Sequence, residues 1–298
     1  MANIAKHHER CEMTIRNPIL WGWDALRPVS ADSLARAGER LATSLDAMET
    51  TPGVRHIGLD DLKTALDRGW TDFTAGRTDV IMLCLLYPIV GLVMGRLGLG
   101  HEVVPLLFPL AAGFALLGPL FGIGLNEMSR QRELGQPVTW RSAFAVLEAP
   151  SLGAIIGLGL LLTVIFLAWL ASAGLIWRFT LGDVEPASVS AFFTDVFTTS
   201  GGMALIAVGV SVGFVFAAVV FSITVVSFPL LLDRHASVRS SIRTSLRVVA
   251  ENPRVMLAWG AIVTAGLVLG SIPAFIGLAV VLPVLGHATW HLYRLVVR

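Results

Sequence analysis

The chain has 298 residues, of which 55% are hydrophobic and 14% charged, with a mean hydropathy of +0.74 and a net charge of +1. Soluble domains carry about 25% charged residues, so this composition argues against an ordinary soluble enzyme and for a membrane protein. The charge is also uneven: the first 79 residues hold 22 of the 43 charged side chains, 10 basic and 12 acidic, a balance that speaks against nucleic acid as a partner.

Residues 1–53 read as a cytoplasmic leader. In "NPILWGWDALRP" Asn17 caps a helix that opens with Pro18, and in "SADSLARAGERLATSLDAM" Leu34, Leu41, Leu45 and Met48 share one helical face. "ETTPGV" reads as a linker, leaving residues 54–298 as a membrane domain. No signal-peptide pattern precedes the first apolar run, and Cys11 and Cys84 suggest no disulfide.

Beyond Asp79, breakpoints at charges, glycines and prolines predict six helices, at Val80–Leu99, Val103–Leu125, Ser151–Trp177, Met203–Leu232, Val255–Leu269 and Ala274–Trp290. "GSIPAF" makes the turn between the last two. Twenty of the 22 Lys and Arg residues then fall on one side, with Arg96 and Arg178 on the other. The positive-inside rule therefore places both termini in the cytoplasm. In the outer loop, Ala191, Phe192, Val196 and Phe197 have helical spacing and are expected to lie flat on the membrane.

The segments before spans one, three and five share a pattern: "LKTALDRGWTDF", "WRSAFAVLEAP" and "IRTSLRVVAENP". The second helix of each hairpin carries a proline near its cytoplasmic end, at Pro119, Pro229 and Pro283. The expected fold is thus an all-α polytopic bundle of six transmembrane helices with cytoplasmic amphipathic helices, built as a threefold hairpin repeat. Small pairs at Gly91/Gly95, Gly118/Gly122, Gly153/Gly157, Gly209/Gly213 and Gly266/Gly270 allow close helix packing, within the chain or, alternatively, in a homo-oligomer.

The spans are nearly bare of ionisable groups, which weighs against a proton-coupled transporter. Polar residues gather instead at the cytoplasmic helix ends, where Glu127, Asp233, His287 and His291 are the candidate cluster. His287 and His291 stack on one helical face and could ligate a metal or haem, or anchor a span end beside Trp290, Tyr293 and Arg294. No catalytic residue, cofactor or resident metal is assigned, because no nucleophile elbow, zinc helix or phosphate loop occurs.

At "IGLDDL", "PLLFPLAAGFALLGPLFGIGL", "DVFTT", "VVSFPLLLDR" and "GLAVVLPVLGHATWHLYR" the chain resembles an uncharacterised bacterial family of six-span integral membrane proteins catalogued as a domain of unknown function. The resemblance runs from about Val54 to the C-terminus. It implies topology but no activity. Some members carry a cytochrome c oxidase subunit I label, which the six expected spans and single His pair do not support.

The leading expectation is a non-enzymatic protein of the bacterial inner membrane, acting through protein partners or bilayer organisation. A transporter or channel for a small or lipidic solute is the alternative, and a metal- or haem-associated respiratory accessory protein the third.

Overall fold

The computed structural model describes residues 52–76, 118–182, 188–272 and 277–298. All of them belong to one compact unit, Met48–Arg298, while a second unit, Met1–Ala47, lies outside the described residues. The leader helices, the span Val80–Leu99, most of Val103–Leu125 and the turn at Pro273 also lie outside them.

Apart from one isolated antiparallel bridge between Val54 and Val297, the described residues that form regular structure are helical. In chain order they are α1 (Leu59–Ala75), α2 (Gly118–Phe121), α3 (Ile123–Glu133), a 3-10 helix (Trp140–Glu148), α4 (Leu152–Thr180), α5 (Val189–Thr198), α6 (Ser200–Thr224), α7 (Ser227–Arg234), α8 (Val238–Glu251), α9 (Pro253–Ser271) and α10 (Leu278–Val296).

Local chemistry sets the ends. Gly182, at φ +83°, turns the chain two residues beyond α4, a conformation that favours glycine. The side chains of Ser188, Thr199 and Ser237 accept hydrogen bonds from the first-turn amides of α5, α6 and α8. Proline opens α9, where its missing N–H costs nothing. The long apolar run from Ser200 breaks at Val225–Val226 before continuing as α7. Pro229 explains the break, since it cannot donate to the Val225 carbonyl four residues back.

Three described helical segments are long and apolar enough to cross a bilayer: Leu152–Thr180, Ser200–Arg234 and Pro253–Ser271, with mean hydropathies of 2.6, 2.6 and 1.5. Their flanks are exposed apolar surface, with Leu160, Val164, Phe214, Val215, Leu257 and Val268 all facing outward. A water-soluble monomer rarely carries apolar patches of this extent. The apolar window of Ser200–Arg234 is only 6% buried inside the protein, as expected where lipid is the solvent.

α10 does not join those three. It was expected at Ala274–Trp290 and runs instead from Leu278 to Val296. The shift has a physical cause: its second half, with His287, Trp290 and Tyr293, is packed inside protein. The helical spacing of Ala191, Phe192, Val196 and Phe197 is realised as α5, which packs on α6 and sets Phe192 against Trp177 at 5.5 Å.

The helix ends on one side assemble as two nested layers. The inner layer is α3, α7 and α10, each packed on the other two. Around it sit the three amphipathic helices: the 3-10 helix on α3, α8 on α7, and α1 on α10. The first two follow their partners directly in the chain. α1 instead reaches across the whole sequence to the last helix, and the junction is sewn by Arg55 N–H to Val296 O (2.8 Å) and Arg298 N–H to Gly53 O (2.9 Å). Asn252 joins in, accepting from Ile57 N–H at 2.9 Å and donating to Arg55 O at 3.2 Å.

The largest buried cluster lies under this junction and contains Leu62, Ala65, Met256, Trp259, Leu292 and Val296. Each large apolar side chain of this kind contributes about 1.5–3 kcal/mol when removed from water. A second cluster, with Ile155, Leu158, Leu162, Val220, Phe228 and Leu231, joins α4, α6 and α7.

Glycines set the close contacts. A Cβ on Gly213 would meet Trp169 at 3.1 Å, and one on Gly266 would meet Val281 at 3.1 Å, so these positions serve packing within the chain. Gly118, Gly153 and Gly209 face open space, while the pair Gly91/Gly95 lies outside the described residues.

Candidate functional site

α10 carries His287 and His291 one turn apart, so both imidazoles leave the same face. That face meets the last turns of α1 and the middle of α3. The approach is close because Gly69 of α1 lies directly on α10: a Cβ there would be 2.7 Å from the Ala288 nitrogen and 2.8 Å from the Val284 oxygen. The result brings Asp72 of α1, Ser129 and Arg132 of α3, and both histidines into one buried network.

Asp72 is its centre. Its Oδ2 accepts from Ser129 Oγ at 2.6 Å and from His291 Nε2 at 2.9 Å. Arg132 holds Oδ1 at 3.1 Å and also donates to the Asp72 main-chain oxygen at 2.7 Å. Ser129 Oγ lies 2.8 Å from His287 Nδ1. The hydroxyl proton is committed to Asp72, so the proton count makes His287 Nδ1 the donor to Ser129. The chain of donation is therefore His287 to Ser129 to Asp72, with His291 donating from the other side. His287 has no exposed surface, and its Nε2 makes no well-formed hydrogen bond among the described residues.

Burial alone would raise the pKa of Asp72. The hydrogen bonds from His291, Ser129 and Arg132 outweigh it, and the carboxyl is lowered from 3.8 to about 2. A group depressed in this way stabilises the fold fully above its unfolded pKa, near 3.8, and loses that contribution as the pH falls toward 2. The midpoint of thermal unfolding in detergent should therefore drop more steeply between pH 4 and pH 2 for the natural chain than for Asp72→Asn. Parallel curves would dismiss the assignment.

The other two candidate residues lie in separate groups. Glu127 of α3 is clamped by Arg130 through two bonds, at 2.7 and 2.8 Å, and by Gln131 at 2.9 Å. These partners sit three and four residues on, the spacing at which helix neighbours meet. Asp233 of α7 accepts from Tyr293 Oη at 2.5 Å and from Arg294 at 3.3 Å. Burial and this carboxylate push the Tyr293 phenol upward. Glu133, at the end of α3, takes the Trp290 indole N–H at 2.9 Å and Arg294 Nε at 3.0 Å.

His287 and His291 thus share one network, Glu127 has its own, and Asp233 belongs to a third. Asp72, Ser129, Glu133 and Tyr293 are additions to the expected set. Tyr293 was visible beside the histidines, but nothing local to Asp72 marks it as a partner for residues over 200 positions away.

Chemically, the Asp72 network contains the residue types of a nucleophilic triad in the wrong order. In such a triad His stands between the acid and the nucleophile and removes the nucleophile's proton. Here Ser129 stands between His287 and Asp72, gives its own proton to the carboxylate, and is 1% exposed. As a metal site, the pair offers little: His291 Nε2 and His287 Nδ1 are both turned onto Asp72 and Ser129. No group of three His, Cys, Asp or Glu side chains among the described residues is placed to hold an ion.

Two shallow cavities of about 220 and 250 Å³ open at the rim of this layer, one beside Glu127, Glu148 and His235, the other beside His56 and Arg254.

No curated protein and no solved structure matches the chain. Over residues 107–233, which take in α2 through α7 and both Glu127 and Asp233, the chain matches and is similar to a family described as predicted integral membrane protein (DUF2189).

Proposed function

We propose that this is a non-enzymatic six-span protein of the bacterial inner membrane, with both termini cytoplasmic, that acts through protein partners or by organising the bilayer around it. The observation that carries the reading is the state of the polar layer. Among the described residues, the carboxylates of α3 and α7, Glu127, Glu133 and Asp233, and Asp72 of α1 are held by donors of the same chain. A layer satisfied in this way works as a latch between helices, whereas a substrate site keeps polar groups pointed at open space.

The nested arrangement supports a threefold hairpin plan. Each amphipathic helix precedes a span and packs on the inner helix that ends the preceding unit, with α1 closing the cycle on α10. Pro283 and Pro229 recur at related places in α10 and α7, as does Pro119 in α2 just before α3.

Topology is tested with reporters inserted at Gly135, between α3 and the 3-10 helix, and after Gly182, beyond α4. The first is expected to read cytoplasmic and the second periplasmic. Readings on one side, or reversed, would refute the orientation. The functional half is tested by affinity purification from native membranes together with envelope-stress growth of a deletion strain. Recovery of the chain alone, with no growth phenotype, would sink it.

A further inference from the structure

α8 is amphipathic in an unusual sense. Its inner face is small and hydroxylated, with Ser240, Ser241, Thr244, Ser245 and Val248 buried. Its opposite face holds Arg239, Arg243, Leu246, Arg247 and Ala250, all exposed. At 100° per residue these five fall within one third of the helix circumference, directly opposite the buried set.

The depth of α8 decides what that face meets. Its first residue, Val238, lies on Gly157 of α4, where a Cβ would be 3.5 Å from Val238 Cγ2. Gly157 is five residues inside α4, about 7.5 Å along the axis. Ser245 Oγ donates to the Ser222 main-chain oxygen at 2.7 Å, within the last turn of α6. α8 is therefore strapped to the flanks of two apolar segments, five residues inside the start of Leu152–Thr180 and twelve residues inside the end of Ser200–Arg234. A face directed away from those flanks at that depth looks into the headgroup layer.

The charge fits an anionic occupant. From Asp233 to Arg254 the chain has five arginines against two acids. Arg247 pairs with Glu251 at 3.0 Å, and Arg243 forms no ion pair with a carboxylate among the described residues. Leu246, 44% exposed, supplies the apolar contact beneath the phosphate level. The 3-10 helix repeats this composition before α4: Arg141, Phe144 and Leu147 stand in one column at its three-residue period, with Arg141 over Trp140 at 5.5 Å.

Resting on the membrane reading above, we propose that the outward face of α8, formed by Arg239, Arg243, Leu246 and Arg247, is a binding surface for anionic phospholipid headgroups. The guanidinium groups pair with lipid phosphates and Leu246 enters the acyl boundary. This would give the chain a preferred shell of acidic lipid, one concrete form of bilayer organisation.

The test titrates the purified full chain in nonionic detergent with phosphatidylglycerol and, separately, phosphatidylcholine, read by native mass spectrometry. The natural chain is expected to bind phosphatidylglycerol at least about 25-fold more tightly, from roughly fivefold for each of two arginines near an anionic surface. Arg239→Gln combined with Arg243→Gln should lower that affinity by about 25-fold, at roughly fivefold per arginine near an anionic surface, and leave phosphatidylcholine binding unchanged. The corresponding Lys pair should keep most of the preference. Should the Gln pair fail to fold, Arg243→Gln alone carries the test, with a loss of about fivefold. Equal binding of the two lipids, or a preference that survives the Gln substitutions, overturns the proposal. Because detergent presents lipid to every face, the result does not depend on orientation, so a failed reporter experiment and a failed lipid experiment remain distinguishable.

Discussion

Asp72→Ala is expected to cost the fold about 3–5 kcal/mol, the range for removing one partner of a buried ion pair. The loss leaves His291 and Ser129 facing a cavity without their carboxylate, and Arg132 with only the main-chain oxygen, at a place where Asp72 itself was only 6% exposed. In a chain of this size the unfolding midpoint should fall by about 10 °C. Thermal unfolding of the detergent-purified protein measures it, and a fall of under about 3 °C would show that the network is dispensable. Asp72→Asn keeps the shape and should fall between, because an amide can accept from one donor while its own N–H groups oppose the others.

Gly69→Val should have an effect as large, through packing. The added Cβ would sit 2.7 Å from the Ala288 nitrogen, 2.8 Å from its Cβ and 2.8 Å from the Val284 oxygen. Two of these three are main-chain atoms of a regular helix and cannot swing aside, so α1 must lift from α10. Overpacking typically costs about 1–3 kcal/mol and more where backbone must move. Hydrogen exchange of the α1 amides should rise sharply while α4 and α6 stay protected. Adding Ala288→Gly relieves only one of the three contacts and should not restore protection. An α1 that remains protected in Gly69→Val would mean the interface yields more easily than its geometry says.

Much of the membrane-crossing part could be read from residue order alone. Leu152–Thr180 and Pro253–Ser271 lie within a few residues of their expected bounds, because an uncharged run longer than a bilayer leaves little choice. The end of the chain was harder. α10 mixes an apolar first half with a second half whose polar groups face protein, and hydropathy cannot tell a headgroup boundary from a buried polar seam. The site followed the same division. Glu127 with Arg130 obeys local helix spacing, so that pairing was open to inspection. Asp72 with His291 depends on the docking register of α1 on α10, 219 positions apart, which no local pattern encodes. Glu133 with Trp290 and Asp233 with Tyr293 depend equally on how three helices converge.

The closure of α1 on α10 also bears on how the protein is made. Leu62, Ala65 and Phe73 of α1 leave the ribosome long before Ala288, Leu292 and Val296, some 220 residues later. At 5–20 residues per second, about 10 to 45 seconds separate the two. Throughout that interval the glycine notch of α1 and much of its apolar face lack their partners on α10, and Asp72 lacks His291. Insertion of the spans can proceed in order, but the contact of α1 with α10 can lock only when synthesis is nearly finished. A nascent chain stalled before Leu278 would therefore hold inserted spans beneath an open α1, the stage at which a chaperone or protease would most readily distinguish it from the finished protein.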